Sequence, residues 1–211
     1  MYPELFRIGP VPVYSFGLMM GLGFITASML FTRELRRKGL DQNLGGTITL
    51  LAMVFGIVGS KALYVLEDWD AFIRQPSMAF SPGGLTWYGG FILATIVIWQ
   101  YVVRKGVPFL KITDAVAPGL MLGYGVARIG CHLSGDGDYG LPTSLPWGAI
   151  YSNGTYPPSV AFRDFPEIVG KYGVNGVIPN DLTVHPTPVY EFILAAVLAS
   201  VLWSLRKTIL V

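Results

Sequence analysis

The sequence of 211 residues has a single cysteine, Cys131, and only two histidines, His132 and His185. One thiol excludes an intrachain disulfide and a cysteine-rich zinc site, and leaves the redox compartment open. Two histidines without a ligand cluster at the usual spacing predict no metal site, and no cofactor is expected. Charge is scarce too: 13% of residues are charged, against roughly 25% in an ordinary soluble domain. Fifteen Lys and Arg against 13 Asp and Glu leave a net charge of +2. That is too little for the basic stripe of a nucleic-acid-binding protein. With 52% hydrophobic residues, intrinsic disorder is excluded as well.

What is present is long apolar runs. A membrane-spanning helix needs about 20 mostly apolar residues. Five stretches qualify, roughly 13–32, 44–66, 85–103, 113–133 and 188–205. The first lacks both a basic leader and a following small-residue cleavage site, so it does not read as a cleavable signal peptide. The second contains Lys61, the fourth Asp114 and Arg128, and the fifth Glu191. The expected fold is an all-α integral membrane protein of about five transmembrane helices, forming one polytopic domain over residues 1–211. Residues 134–187, rich in Gly, Pro, Tyr and Asp, are expected as a long extracytoplasmic loop, either an ordered cap or a mobile lid.

Basic residues concentrate in short cytoplasmic loops. Arg33, Arg36, Arg37 and Lys38 follow the first stretch, Arg104, Lys105 and Lys111 the third, and Arg206 and Lys207 the fifth. The opposite side carries Arg7, Arg74, Arg163 and Lys171. This asymmetry predicts an N-terminus outside and a C-terminus in the cytoplasm.

Three constellations then fall on the outer side. The first is GYGVARIGCHLSGDGDYG, residues 123–140. Its glycines allow close backbone approach. An ionisable residue within a span is a functional hypothesis by default, and the planar fork of Arg128 suits a lipid phosphate. Otherwise Arg128 snorkels to the interface or pairs with Asp136 or Asp138. The second is HPTPVYE, residues 185–191. Pro186 and Pro188 fit a helix entry. His185 is either a proton shuttle or a residue bonded to backbone. Glu191 needs a partner, for which Arg128 and Lys61 are the candidates. The third is GGLTWYGG, residues 83–90. Gly89 and Gly90 permit tight packing or strained dihedrals. Trp87 and Tyr88 suit an aromatic belt, or the Tyr88 hydroxyl donates to a headgroup or reacting group.

Tyr14 opens the first stretch, and Lys61 can add positive charge to a phosphate site. Cys131 next to His132 invites a nucleophile reading, but sequence neighbours on a helix do not face each other. A buried inert cysteine is the default. Arg128, Lys61, Tyr88, His185, Tyr190 and Glu191 are thus expected around one cavity near the outer leaflet, suited to an anionic phospholipid whose acyl chains stay in the bilayer.

These blocks resemble the prolipoprotein diacylglyceryl transferase family of bacterial inner-membrane enzymes. The similarity runs from about residue 5 to 205. DAVAPGLMLGYGVARIGCHLSGDGDYG is similar to the family signature, while GGLTWYGG, HPTPVYE and GPVPVYSFGLMMGLGF resemble three other blocks in the right order. The resemblance implies transfer of the diacylglyceryl group of phosphatidylglycerol to the lipobox cysteine of a prolipoprotein, recognised through its signal peptide. Glycerol-1-phosphate leaves and a thioether forms. By the same resemblance Arg128 is the signature arginine, holding the lipid phosphate and stabilising the leaving group. Gly130, Gly135 and Asp136 fall on signature positions, and His185, Tyr190 and Glu191 on the block beside the cavity. Cys131 then lines the site and the attacking sulfur belongs to the substrate.

The chain also departs from that pattern. Tyr88 stands where the family has His, Cys131 where it has Asn, Phe16 where it has Tyr, and Asp136 where it usually has Glu. The family continues with two more helices and a further arginine, whereas this sequence stops at Val211, so a shortened relative or part of a longer product is expected. A non-catalytic phospholipid-binding relative is the alternative. No pair of corresponding interrupted helices suggests a transporter.

Overall fold

The computed structural model describes residues 1–81 and 84–207. The chain is mostly helical. Its long helices are α1 (Ser15–Arg37), α2 (Asn43–Glu67), α4 (Trp87–Arg104), α5 (Phe109–Ser134) and α8 (Thr187–Leu205). Each falls on one of the five apolar stretches. Three of them, α1, α2 and α8, are long and apolar enough to cross a membrane. Shorter helices are α3 (Trp69–Arg74), α6 (Pro158–Ala161) and α7 (Pro166–Tyr172). Two small antiparallel sheets, absent from the all-α expectation, pair β1 (Glu4–Ile8) with β2 (Val11–Tyr14), and β3 (Ala149–Ile150) with β4 (Thr183–Val184). Gly9, at φ 60°, and Pro10 make the two-residue turn between Ile8 and Val11; a two-residue hairpin loop needs such a positive φ.

The described chain divides into two compact units, residues 1–27 with 117–207, and residues 28–116. In the second, α1 and α4 end alike. Gly39 and Gly106 take positive φ. The following Leu40 and Val107 donate back to the Leu35 and Val102 carbonyls at 2.9 and 3.0 Å. This is the Schellman stop, completed by a hydrophobic residue after the glycine. Leu40 and Val107 pack against a core of Phe31, Leu35, Leu44, Ile48, Val102, Ile112 and Ala115. Asp114, a charge that interrupted the fourth apolar stretch, meets Lys38 at 2.5 Å, and buried Glu34 meets Arg37 at 2.8 Å. Midway along α2, glycine replaces side-chain packing. A Cβ on Gly90 would lie 2.5 Å from the Gly56 carbonyl, and one on Gly59 would strike the Gly89 carbonyl.

The first unit follows the same rule. A Cβ on Gly23 would come 2.7 Å from the Gly123 carbonyl oxygen, and one on Gly123 2.8 Å from that of Gly23. Gly125 packs on Ala195, and Gly130 on Phe16 and Met19. Small residues therefore face neighbouring helices, while Leu18, Leu22, Ile25, Ile193, Leu194 and Val197 are exposed. Helices that associate in lipid are built this way. Between α5 and α8 the chain makes its own core from Tyr139, Tyr151, Phe162, Ile178 and Val184. Tyr139 and Tyr151 stack at 4.4 Å.

Candidate functional site

Arg128 is in the last turns of α5, where its side chain is 15% exposed. Two carboxylates hold its guanidinium. Nη2 donates to Glu191 Oε1 at 2.8 Å and Nη1 to Asp138 Oδ2 at 2.5 Å. Nη1 also lies 3.3 Å from Cys131 Sγ, one turn further on. Tyr124, one turn before Arg128 on the same face, donates its hydroxyl to the other Glu191 oxygen. Of the two partners open to Glu191, Arg128 is the one it takes, and of Asp136 and Asp138 it is Asp138 that pairs with Arg128.

The chain leaves α5 through Gly135 and Gly137, both at positive φ (58° and 96°). A Cβ on Gly135 would sit 2.7 Å from the Gly154 Cα, so this signature position needs glycine for conformation and for space. Asp136 Oδ1 accepts from the Asp138 amide at 3.4 Å, and the Asp138 carbonyl accepts from the Thr187 hydroxyl at 2.5 Å. Cys131 Sγ and carboxylate oxygens of Asp136 and Asp138 lie within 4.8 Å of one another. The guanidinium of Arg128 already supplies that cluster with positive charge.

His185 precedes α8. Its backbone is stitched to the segment after α5: its amide donates to the Leu141 carbonyl at 3.0 Å, and its carbonyl accepts from Gly140 at 2.9 Å. Its ring Nδ1 lies 3.2 Å from the Tyr190 hydroxyl, which also accepts from Trp147 Nε1 at 2.9 Å. Pro186 caps α8, and Pro188 is in its first turn. His132 Nδ1 lies 2.9 Å from the Tyr151 hydroxyl, tying the end of α5 to the tyrosine core. Burial pushes the Tyr139 phenol up to about 12, and Tyr151 is raised as well.

Arg128, Cys131, Asp136 and Glu191 are therefore brought together, with His185 and Tyr190 joined beside Glu191 at the entry of α8. Gly130 lies on α5 against α1. Tyr14 ends the first hairpin, opposite Glu4, and is exposed. The remaining expected residues belong to the other unit. Lys61 donates to the Ser81 carbonyl at 2.9 Å and stands over the Tyr64 ring. Tyr88 is exposed and meets Trp87 edge to face at 5.2 Å. Gly89 and Gly90 serve close packing on α2. Tyr124, Trp147 and Thr187 were missed by the sequence reading. The four-residue spacing of Tyr124 from Arg128 was the available signal; nothing local marks Trp147 or Thr187.

Phosphatidylglycerol–prolipoprotein diacylglyceryl transferase of Clostridium tetani is 30% identical over 98% of this chain and 75% of its own length. The protein of that name from Dehalococcoides mccartyi is 32% identical over 90% of the chain and 66% of its own length. A second such transferase of Clostridium perfringens is 33% identical over 70% of the chain and 58% of its own length. The family profile described as prolipoprotein diacylglyceryl transferase matches residues 3–210. With nearly the whole sequence inside that match, the chain belongs to the prolipoprotein diacylglyceryl transferase family.

Proposed function

We propose that the chain is a multi-pass protein of the bacterial inner membrane that transfers the diacylglyceryl group of phosphatidylglycerol to the lipobox cysteine of a prolipoprotein. The observation that carries this reading is the clamped guanidinium of Arg128, 2.8 Å from Glu191, in a chain whose named relatives are such transferases. All five long helices span the bilayer as a single domain, with the N-terminus outside and the C-terminus cytoplasmic. Residues 134–187 then form an extracytoplasmic cap over the headgroup site.

In this reading Arg128 binds the lipid phosphate through its planar fork. The substrate thiol loses its proton, and its sulfur attacks the diacylglyceryl carbon that carries the phosphate ester oxygen. The carbon–oxygen bond breaks, a carbon–sulfur bond forms, and the electron pair leaves on glycerol-1-phosphate. Arg128 stabilises the charge that grows on that leaving group. His185, oriented by the Tyr190 hydroxyl, takes the thiol proton. Glu191 and Tyr124 hold Arg128 in place. Asp136, Gly130, Gly135 and Cys131 shape the wall around the headgroup, and Tyr14 contributes to substrate binding. Tyr88 stands at the position where the family resemblance implies His.

The test is transfer from labelled phosphatidylglycerol to a lipobox peptide by the purified protein and its Arg128→Ala variant. Transfer that is lost in the variant is the expected result. The second reading is a phospholipid-binding relative without turnover, favoured by Tyr88, a phenol at the position where the family resemblance implies an imidazole. Bound lipid with no transfer by the unaltered protein would select it. Transfer gained by Tyr88→His would locate the deficit.

A further inference from the structure

Arg128 faces more negative charge than it neutralises. Glu191 and Asp138 both contact it, and Asp136 lies beside Asp138. A phosphodiester entering this arrangement would add a further like charge, so one carboxylate has to give way. The two are held differently. Glu191 is fixed on a regular helix and has Tyr124 as a second donor. Asp138 lies in irregular chain after Gly137, and its side chain is 53% exposed. Its backbone is anchored through Thr187, so side-chain rotation alone can free the carboxylate.

There is a place for it to go. A polar cleft of about 350 Å³ is lined by Asp136, Asp138, Tyr156, Arg163 and Asp164. Arg163 there is 69% exposed and pairs through Nε with the still more exposed Asp164 at 3.2 Å, which leaves its terminal nitrogens as donors for that carboxylate. Meanwhile Nε of Arg128 is buried with no hydrogen-bond partner among the described residues, leaving a donor for another oxygen. We propose that Asp138 is a positioning residue that stands in for the lipid phosphate: its carboxylate keeps Arg128 oriented in the empty site, then exchanges into the Arg163 cleft when the anionic headgroup binds. Glu191 remains on Arg128 throughout. This inference rests on Arg128 being the headgroup ligand.

Binding of phosphatidylglycerol in mixed vesicles is measured for the unaltered protein, Asp138→Asn and Arg128→Ala. Removing the competing charge in Asp138→Asn tightens binding about tenfold, the size of one hydrogen bond to a charged group, while Arg128→Ala abolishes it. Unchanged or weaker binding by Asp138→Asn, with Arg128→Ala still defective, overturns the exchange but keeps the headgroup reading. Full binding by Arg128→Ala overturns both. Carbodiimide footprinting of the unaltered protein tests the exchange without any variant. Added phosphatidylglycerol raises labelling of Asp138 and not of Glu191; no rise at Asp138 overturns the proposal.

Discussion

Arg128 and Glu191 meet at 2.8 Å although 63 positions separate them. The contact joins the end of α5 to the beginning of α8 and leaves the guanidinium largely buried. Removing one partner of a buried pair costs most when the other charge is left alone, and without Glu191 the guanidinium keeps Asp138. Glu191 is 37% exposed, so the cost falls below that of a fully buried pair, at about 1–2 kcal/mol. Glu191→Ala should lower the melting temperature in detergent by that equivalent. Tyr124→Phe should cost about 1 kcal/mol, one hydrogen bond. A Glu191→Ala protein as stable as the parent would show that the pair orients Arg128 without holding the fold.

Two glycines in α1 should respond oppositely to the same substitution. A Cβ at Gly23 meets the Gly123 carbonyl oxygen at 2.7 Å, whereas nothing lies within 4 Å of one at Gly21. Gly23→Ala should destabilise by about 1–3 kcal/mol, as other overpacked substitutions do. Gly21→Ala should be neutral or stabilising by up to about 1 kcal/mol, from helix propensity alone. Thermal unfolding of the two variants in one detergent is the measurement.

These contrasts mark what was legible in the sequence. The five helices were, because an apolar run of bilayer length is a strong and local signal. So was the Arg128 neighbourhood, because a charge among apolar residues needs a partner wherever it is placed. Its partners were narrowed to Asp136 or Asp138 and to Glu191, and only the fold, which brings Asp138 and Glu191 in from irregular and remote chain, selects among them. The first sheet and an isolated bridge were overlooked although their turns were in view. Gly9-Pro10 lies between alternating residues, and Asn175-Gly176 closes a short bridge from Val174 to Val177 with both residues at positive φ. Asn-Gly is the strongest short-range hairpin signal, yet a reading weighted toward hydropathy passes over it. The tyrosine core of residues 135–186 was beyond reach, because its members have no periodicity.

The segment leaving α5 provides a third test. Gly135 and Gly176 both take positive φ, but only Gly135 is crowded, by Gly154. A left-handed residue with a side chain costs roughly 1–2 kcal/mol. Gly176→Ala should cost about that much, and Gly135→Ala distinctly more, because backbone must also shift. Limited proteolysis within residues 135–186 should accelerate for both variants, and distinctly more for Gly135→Ala than for Gly176→Ala. Equal rates would place the whole effect in φ and none in packing.

Alkaline pH should loosen this segment before the helices respond. Tyr139, buried and donating to the Tyr156 carbonyl at 2.6 Å, is pushed up by burial to about 12, and burial raises Tyr151 too. An unfolded tyrosine ionises at about 10. Below that value both states keep the proton, so the contribution is fully present. Above it the unfolded chain releases protons that the folded segment retains, and stability falls as pH rises toward the folded value. Each phenol adds a slope of about 1.4 kcal/mol per pH unit in that window. Unfolding followed by phenolate absorbance should therefore steepen between pH about 10 and about 12, and Tyr139→Phe should remove one proton from the slope. An unchanged slope in Tyr139→Phe would mean that its phenol is open to solvent and already ionised in the folded segment.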